Sequence, residues 1–333
     1  MRADTEQKLN RIWYGEEAAP LWLKALAPVY RAGNRLDRWQ KKLRRPSDLD
    51  DIYIIIVGNI NVGGAGKTPL VVRLCRLLRS AGLKPGVISR GYGRAEKDLR
   101  LASAESDPGV VGDEPLLIAR QVGVPVIVAD NRCEAVRKLR KQGVNVVVSD
   151  DGLQHYRLPR NLEICVIDGS RGFGNGQLLP AGPLREPLER LSSIDYVVVN
   201  GEPEKVPQEL DTVPMSLAPG LLRSLDNRQS WRLSQFAGCK VNAVAGIGNP
   251  ARFFEMLRQA RITVREYAFP DHHRFEAADF EPMDPNLPVL MTEKDAVKAA
   301  RLDLKNAWYL QVEAVLPPQW EAELVSRVIK EKA

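Results

Sequence analysis

The chain has 333 residues, 44% of them hydrophobic and 27% charged, enough for two domains with cores of their own. Its net charge of +6 sits in the first 45 residues, where 11 Lys or Arg face 5 Asp or Glu, while the other 288 carry 37 of each sign. A nucleic-acid binder spreads basic surface over its folded domain, so this distribution argues against nucleic acid as a partner, and three histidines exclude a His-rich metal site.

The first element is basic and amphipathic. Over Pro20 to Arg45, at 100° per residue, Leu21, Trp22, Ala25, Leu26, Val29, Leu36, Trp39 and Leu43 share one face. Lys24, Arg31, Arg35, Arg38 and Lys42 fall opposite. Trp at the apolar boundary and a basic flank suit the headgroup region of an anionic membrane; an amphipathic helix packed on the protein's own core is the alternative. Pro28 is expected to break or bend the helix. No run approaches a transmembrane span and no signal-peptide core is present.

From Ile52 onward, short apolar runs alternate with helical patterns: "YIIIVGN", "KPGVISRG", "VPVIVAD", "VNVVVSDDG", "LEICVIDG" and "IDYVVVNG". Continuous rather than alternating apolar strands predict a parallel sheet buried on both faces, and the alternation with helices predicts a doubly wound α/β core with right-handed crossovers. Cys75 and Cys165 fall in apolar runs and read as reduced core thiols of a cytosolic protein. A Pro-rich polar stretch after Gly201 reads as an inter-domain connection. A smaller α/β unit follows, built on "KVNAVAGIGNPARFFEMLRQA" and "VLMTEKDAVKAA".

The first strand runs into a phosphate-binding loop, Asn61-Val62-Gly63-Gly64-Ala65-Gly66-Lys67-Thr68. It matches G-x-x-x-x-G-K-[ST] except that Asn61 stands where the first Gly belongs; Asn tolerates left-handed backbone geometry, so the exchange is physically allowed. Strand, glycines and a helix starting near Thr68-Pro69 wrap backbone N–H groups around phosphate. Lys67 is expected to reach the β- and γ-phosphates of ATP, and Thr68 to ligate Mg2+. Asp150 and Asp151 end a buried strand in the Walker-B manner, with a solvated Asp-Gly turn as the alternative. Asp113 and Glu114 of "GDEP" precede a helix, either as dipole complements or as a base and a metal-positioning acid. Arg185 of "GPLREP" is a candidate for phosphate. "DHHRF" holds His272 and His273 for structural work or proton relay, and His155 in "DDGLQH" reads as supporting or packed.

Together "VGNINVGGAGKTP", "SRGYGR", "GDEP", "DDGLQH", "GPLREP", "GIGNPARFF", "FPDHHRF" and "MTEKDAVK" resemble the tetraacyldisaccharide 4'-kinases of lipid A biosynthesis, from about Trp13 to the final helix. In that family a small polar residue occupies the place of Asn61. The resemblance implies ATP- and Mg2+-dependent phosphorylation of the 4'-hydroxyl of a tetraacylated glucosamine disaccharide 1-phosphate, giving lipid IVA. It implies Asp113 as base, assisted by a histidine of "DHHRF", taken as His272. Asp150 and Asp151 become the acids around Mg2+, with Glu114 a further metal-side acid, and Arg185 meets phosphate or transition-state charge. The expected fold is a P-loop NTPase-type, mostly parallel sheet with helices on both faces (residues 49–215). It is preceded by the basic amphipathic segment (1–48) and followed by a smaller C-terminal α/β domain (216–333) that closes over the nucleotide. The expected setting is peripheral, on the cytoplasmic face of the bacterial inner membrane, as a monomer. A P-loop kinase or ligase for a soluble substrate, and a regulatory P-loop ATPase, are the competing readings.

Overall fold

The computed structural model describes residues 2–15, 17–94, 96–271 and 273–332, with side chains from residue 8 onward. Two helices open the chain, α1 (Arg2–Tyr14) and α2 (Leu21–Leu43). The core then alternates: β1 (Tyr53–Gly58), α3 (Lys67–Ser80), β2 (Pro85–Ser89), β3 (Arg100–Ala102), α4 (Pro108–Val111), α5 (Asp113–Val122), β4 (Val126–Val128), α6 (Arg132–Lys141), β5 (Val146–Ser149), β6 (Leu162–Asp168) and β7 (Tyr196–Asn200). The remainder comprises β8 (Val213–Ser224), β9 (Ser230–Arg232), β10 (Lys240–Ala245), α7 (Pro250–Gln259), β11 (Thr263–Ala268), β12 (Val289–Thr292), α8 (Glu293–Ala299), β13 (Ala307–Val315) and α9 (Pro318–Lys332).

The six apolar runs all become strands. Strands β7, β6, β1, β5, β2 and β4 lie side by side and parallel, with β3 antiparallel at the edge. Alternate residues of β1 supply different cores. Tyr53, Ile55 and Val57 pack with Leu70, Leu74 and Leu78 of α3, Leu116 of α5 and Leu324 of α9. Ile54 and Ile56 pack with Val136 and Leu139 of α6 and with Leu153. Both faces of the sheet are thereby covered, which is why its strands show no polar alternation. Cys75, Cys133 and Cys165 are buried and Cys239 is exposed.

Beyond β7 the sheet continues. The Pro-rich stretch expected as a connection is, from Val213 onward, a strand of 12 residues. Over Val213–Met215 β8 runs parallel to β7, and from Ser216 it pairs antiparallel with β13. Pro219 lies beside the register shift between Leu310 and Val312, where a missing ladder N–H is tolerated. β8 thus joins the first sheet to the parallel set β11, β10, β12 and β13, making one 13-stranded sheet.

Of the break or bend expected at Pro28, the break does not occur: helix α2 continues through it. Anchors on both sides of the proline hold it: Leu23 is buried, Tyr30 Oη donates to Arg185 O at 3.1 Å, and Asn34 Nδ2 donates to the same carbonyl at 2.6 Å. The side that meets the protein is Leu23, Ala27, Tyr30 and Asn34, whereas Lys24, Arg31, Arg35 and Lys42 are exposed, as are the large apolar residues Leu21, Trp22, Leu26, Val29, Leu36, Trp39 and Leu43. This orientation is the reverse of a helix packed on its own core. No described helix is long and apolar enough to cross a membrane.

Candidate active site

The phosphate loop leaves β1 and enters α3 at Lys67. Its left-handed positions are Gly63 (φ 109°) and Gly66 (φ 87°). A Cβ on Gly66 would come within 2.2 Å of Asn200 Nδ2, whose amide donates to Ala65 O at 3.1 Å. Asn61 does not take a left-handed conformation. Its side chain instead donates to Gly172 O at 2.7 Å, so the amide, not backbone tolerance, accounts for the residue. Val62 is held from two sides, by Tyr14 Oη on its carbonyl (2.8 Å) and by its own N–H on Pro183 O (2.9 Å).

Lys67 Nζ lies 3.2 Å from Asp151 Oδ1 and donates to Asn59 Oδ1 at 3.2 Å. Arg185 Nη1 reaches the other oxygen of Asp151 at 3.3 Å. Asp151 has φ 48°, a turn conformation that aims its carboxylate back at the loop. Burial alone would raise its pKa; Lys67, then Arg185 and Arg132, hold it well below the usual carboxylate range. Asp150, fully buried, accepts from Ser89 Oγ at 3.1 Å, and its Oδ1 has no hydrogen-bond partner. Burial, together with Glu114 and Asp151, pushes its pKa up to about 7. Arg132, also buried, donates to Ser149 Oγ (2.8 Å) and Asp151 O (3.0 Å), fixing the strand end that carries both acids.

An orphaned buried carboxylate oxygen near two other carboxylates fits a hard divalent cation. Among the described residues no three His, Cys, Asp or Glu side chains form a complete metal cage. Mg2+ takes few protein ligands and completes its shell with phosphate oxygens and water.

Asp113 and Glu114 form the first turn of α5 rather than preceding it. Gly112, at φ 91°, packs its Cα against Gly91 of "SRGYGR", where an added Cβ would come within 2.9 Å. Glu114 is bridged by Lys294 Nζ at 3.3 Å, and the same ammonium reaches Asp271 Oδ1 at 3.2 Å. Burial would lower the Lys294 pKa, but the two carboxylates raise it. His273 is turned away: its Nε2 lies 2.9 Å from Asp279 Oδ2 and its ring stacks on Phe269. His272 lies outside the described residues. Asp271, the phosphate loop, Glu114, Asn200, Gly248, Arg252 and Lys294 line one cleft of about 200 Å³ between the P-loop sheet and the C-terminal strands.

Lys67, Asp150, Asp151, Glu114 and Arg185 are thus brought together, with Asp113 on the same helix turn as Glu114. Sequence reading overlooked Asn59, Arg132, Asn200 and Lys294 as contributors. Lys294 stands in "MTEKDAVK" and Asn59 in "VGNIN", but nothing local marks a residue whose partner is 180 positions away.

Fold and site define a P-loop phosphotransferase. The model of the LpxK family, tetraacyldisaccharide-1-P 4'-kinase, matches residues 19–329. A Hahella chejuensis protein named tetraacyldisaccharide 4'-kinase is 49% identical over 323 residues, covering 92% of each chain. One from Legionella pneumophila (strain Corby) with the same name is 45% identical over 318 residues, covering 94% of this chain and 95% of its own. The crystal structure of LpxK from Aquifex aeolicus in complex with ATP superposes with a TM-score of 0.74 at 26% identity, covering 92% of this chain and 97% of that one. The chain belongs to the tetraacyldisaccharide-1-P 4'-kinase family.

Proposed function

We propose that this chain transfers the γ-phosphate of ATP to the 4'-hydroxyl of tetraacyldisaccharide 1-phosphate, giving lipid IVA in lipid A biosynthesis. The observation that carries the reading is the row Lys67, Asp151, Arg185 at the mouth of the phosphate loop, in a chain of this family. The acceptor oxygen attacks Pγ while the Pγ–O bond to ADP breaks, and the acceptor proton passes to Asp113. An ordinary carboxylate suffices for Asp113, because the proton leaves late in phosphoryl transfer.

Lys67 and the loop amides meet the β- and γ-phosphates. Arg185, already within reach of Asp151, swings or stays to face the transferring group. Thr68, Asp150, Asp151 and Glu114 would hold Mg2+, which when bound neutralises charge shared between the β- and γ-phosphates. His272 supports Asp113 from the C-terminal unit (216–333), which closes over the nucleotide held by residues 49–215. Lys294 joins those two units at the acids beside Asp113.

The segment 1–48 holds the enzyme on an anionic membrane, peripherally on the cytoplasmic face of the bacterial inner membrane. The support is the exposed apolar face of α2 flanked by its basic stripe. The test is a transfer assay with γ-labelled ATP, Mg2+ and tetraacyldisaccharide 1-phosphate in mixed micelles, with Lys67→Ala as control. Label on the 4' position, lost in the control, is the expected result. ATP hydrolysis independent of lipid, without transfer, would overturn it.

A further inference from the structure

Arg171 stands beside the phosphate loop with its charge uncommitted. It follows β6 in the segment "DGSRGFGN", where Asp168 Oδ1 accepts from the backbone N–H groups of Ser170 (3.1 Å) and Arg171 (3.3 Å) and so fixes the turn. Its guanidinium lies over the Tyr14 ring, 5.0 Å from the centroid, and it has no carboxylate partner among the described residues. An added Cβ on Gly63 would come within 3.5 Å of Arg171 Nη1. The other end of the fork, Nη2, donates to the carbonyl of Gly248 in "GIGNP".

That contact holds a loop of the C-terminal unit against the phosphate loop. An added Cβ on Gly248 would come within 3.0 Å of Gly64 N, and the neighbouring Asn249 Nδ2 donates to Ser170 Oγ at 3.3 Å. Gly63 and Gly64 are the loop residues that stand away from the start of α3 at Lys67. Phosphate bound at a helix N-terminus extends outward from it, so the terminal phosphate of ATP lies toward these two glycines and the last phosphate of ADP stops short of them. A guanidinium whose acceptors are one neutral carbonyl and a ring face gains from exchanging that carbonyl for phosphate oxygens, because the new hydrogen bonds are charge-assisted and match the fork. The Tyr14 ring keeps the plane of the guanidinium oriented during the exchange.

We propose that Arg171 is a further catalytic residue: with ATP in the loop its guanidinium leaves Gly248 O for the γ-phosphate oxygens, where it meets the charge of the transferring group. The same exchange releases "GIGNP" from the β6 segment, so the clasp answers to the third phosphate and not to the first two. The inference rests on the kinase reading above.

The test is titration calorimetry of the full chain with Mg2+ and either ATP or ADP, lipid omitted, beside labelled transfer to tetraacyldisaccharide 1-phosphate. Arg171→Gln keeps an N–H donor for the Gly248 carbonyl and loses the charge. In this variant and in Arg171→Ala the Kd for ATP is expected to rise at least about tenfold, of the order of a charge-assisted hydrogen bond, while the Kd for ADP stays within about twofold. The kcat for transfer is expected to fall about a thousandfold, the low end of what an arginine on the transferring group supplies. Arg171→Lys should recover part of the ATP affinity, since an ammonium restores charge without the fork. Equal weakening of ATP and ADP in the Gln variant would mean that Arg171 only positions the loop, and would overturn the proposal. Unchanged ATP affinity or unchanged kcat would do the same. Wild type that binds both nucleotides and transfers no phosphate overturns the kinase reading itself, and the contrast between ATP and ADP in the variants then still decides the contact to the γ-phosphate.

Discussion

Lys67 Nζ stands 3.2 Å from Asp151 Oδ1, so the lysine of the phosphate loop and the acid ending β5 form an ion pair. Lys67→Ala removes both the phosphate contact and the charge that holds Asp151 ionised. Phosphoryl transfer is expected to fall by at least about a hundredfold, as removal of a preorganised electrostatic group costs. Labelled transfer under saturating ATP measures it; near-normal turnover would remove Lys67 from the mechanism.

Asp113→Ala is expected to lower kcat by about two to four orders of magnitude, the usual share of a general base. Affinity for ATP should stay close to wild type, because phosphate binding belongs to the loop. Nucleotide titration beside single-turnover transfer separates the two quantities. A variant with unaltered turnover would exclude Asp113 as the base.

Lys294 bridges Glu114 and Asp271. In Lys294→Met the two carboxylates lose it within a site largely closed to water. Breaking a buried pair by removing one partner costs about 3–5 kcal/mol; with Glu114 only partly buried, we expect about half that. Thermal unfolding should show a drop of several degrees, with Lys294→Arg recovering part of it. A Met variant as stable as wild type would show that the bridge contributes nothing.

Trp22 and Trp39 are 65% and 61% exposed on the apolar face of α2. Replacing both with Glu should leave folding stability within about 0.5 kcal/mol, as for exposed positions generally. Partition into anionic vesicles, followed by co-sedimentation, is expected to fall more than tenfold while ATP affinity is retained. Unchanged sedimentation would separate this face from the membrane.

His155 is lowered by burial, and by Arg132 and other nearby cations, to about 3. Its unfolded value is about 6.5, so below that pH the unfolded chain binds a proton that the folded chain refuses. Stability from this group is complete above about pH 6.5 and is lost as pH falls toward 3. Between pH 7.5 and 5 the loss is at most about 2 kcal/mol. Urea unfolding of wild type and His155→Gln at both pH values measures it. Identical pH dependence in the two proteins would place the titration elsewhere.

The core strands, the phosphate loop and the acids of β5 were legible because each is a local pattern. A buried parallel strand needs an unbroken apolar run, and a phosphate loop needs glycines beside a helix start. The amphipathic character of α2 was equally legible. Which side of it meets the protein was not, since Leu23, Tyr30 and Asn34 form a narrow face of mixed polarity that only their contacts with distant segments single out. Pro28 was misleading for the same reason: the cost of one lost backbone bond is local, whereas the anchors that offset it come from residues some 150 positions away. The strand β8 was hidden behind its prolines, which tertiary pairing accommodates at a register shift.

The sequence by itself determined the class of chemistry, because the backbone demands of phosphate binding and of a two-sided sheet are met by neighbours in the chain. Only the tertiary structure decided the electrostatics of the site: that Asp150 is buried with a bare oxygen, that Asp151 is shared by Lys67 and Arg185, and that Lys294 spans to Glu114 and Asp271. Those facts depend on distance and burial between remote segments, and charge interactions take their strength from those two quantities.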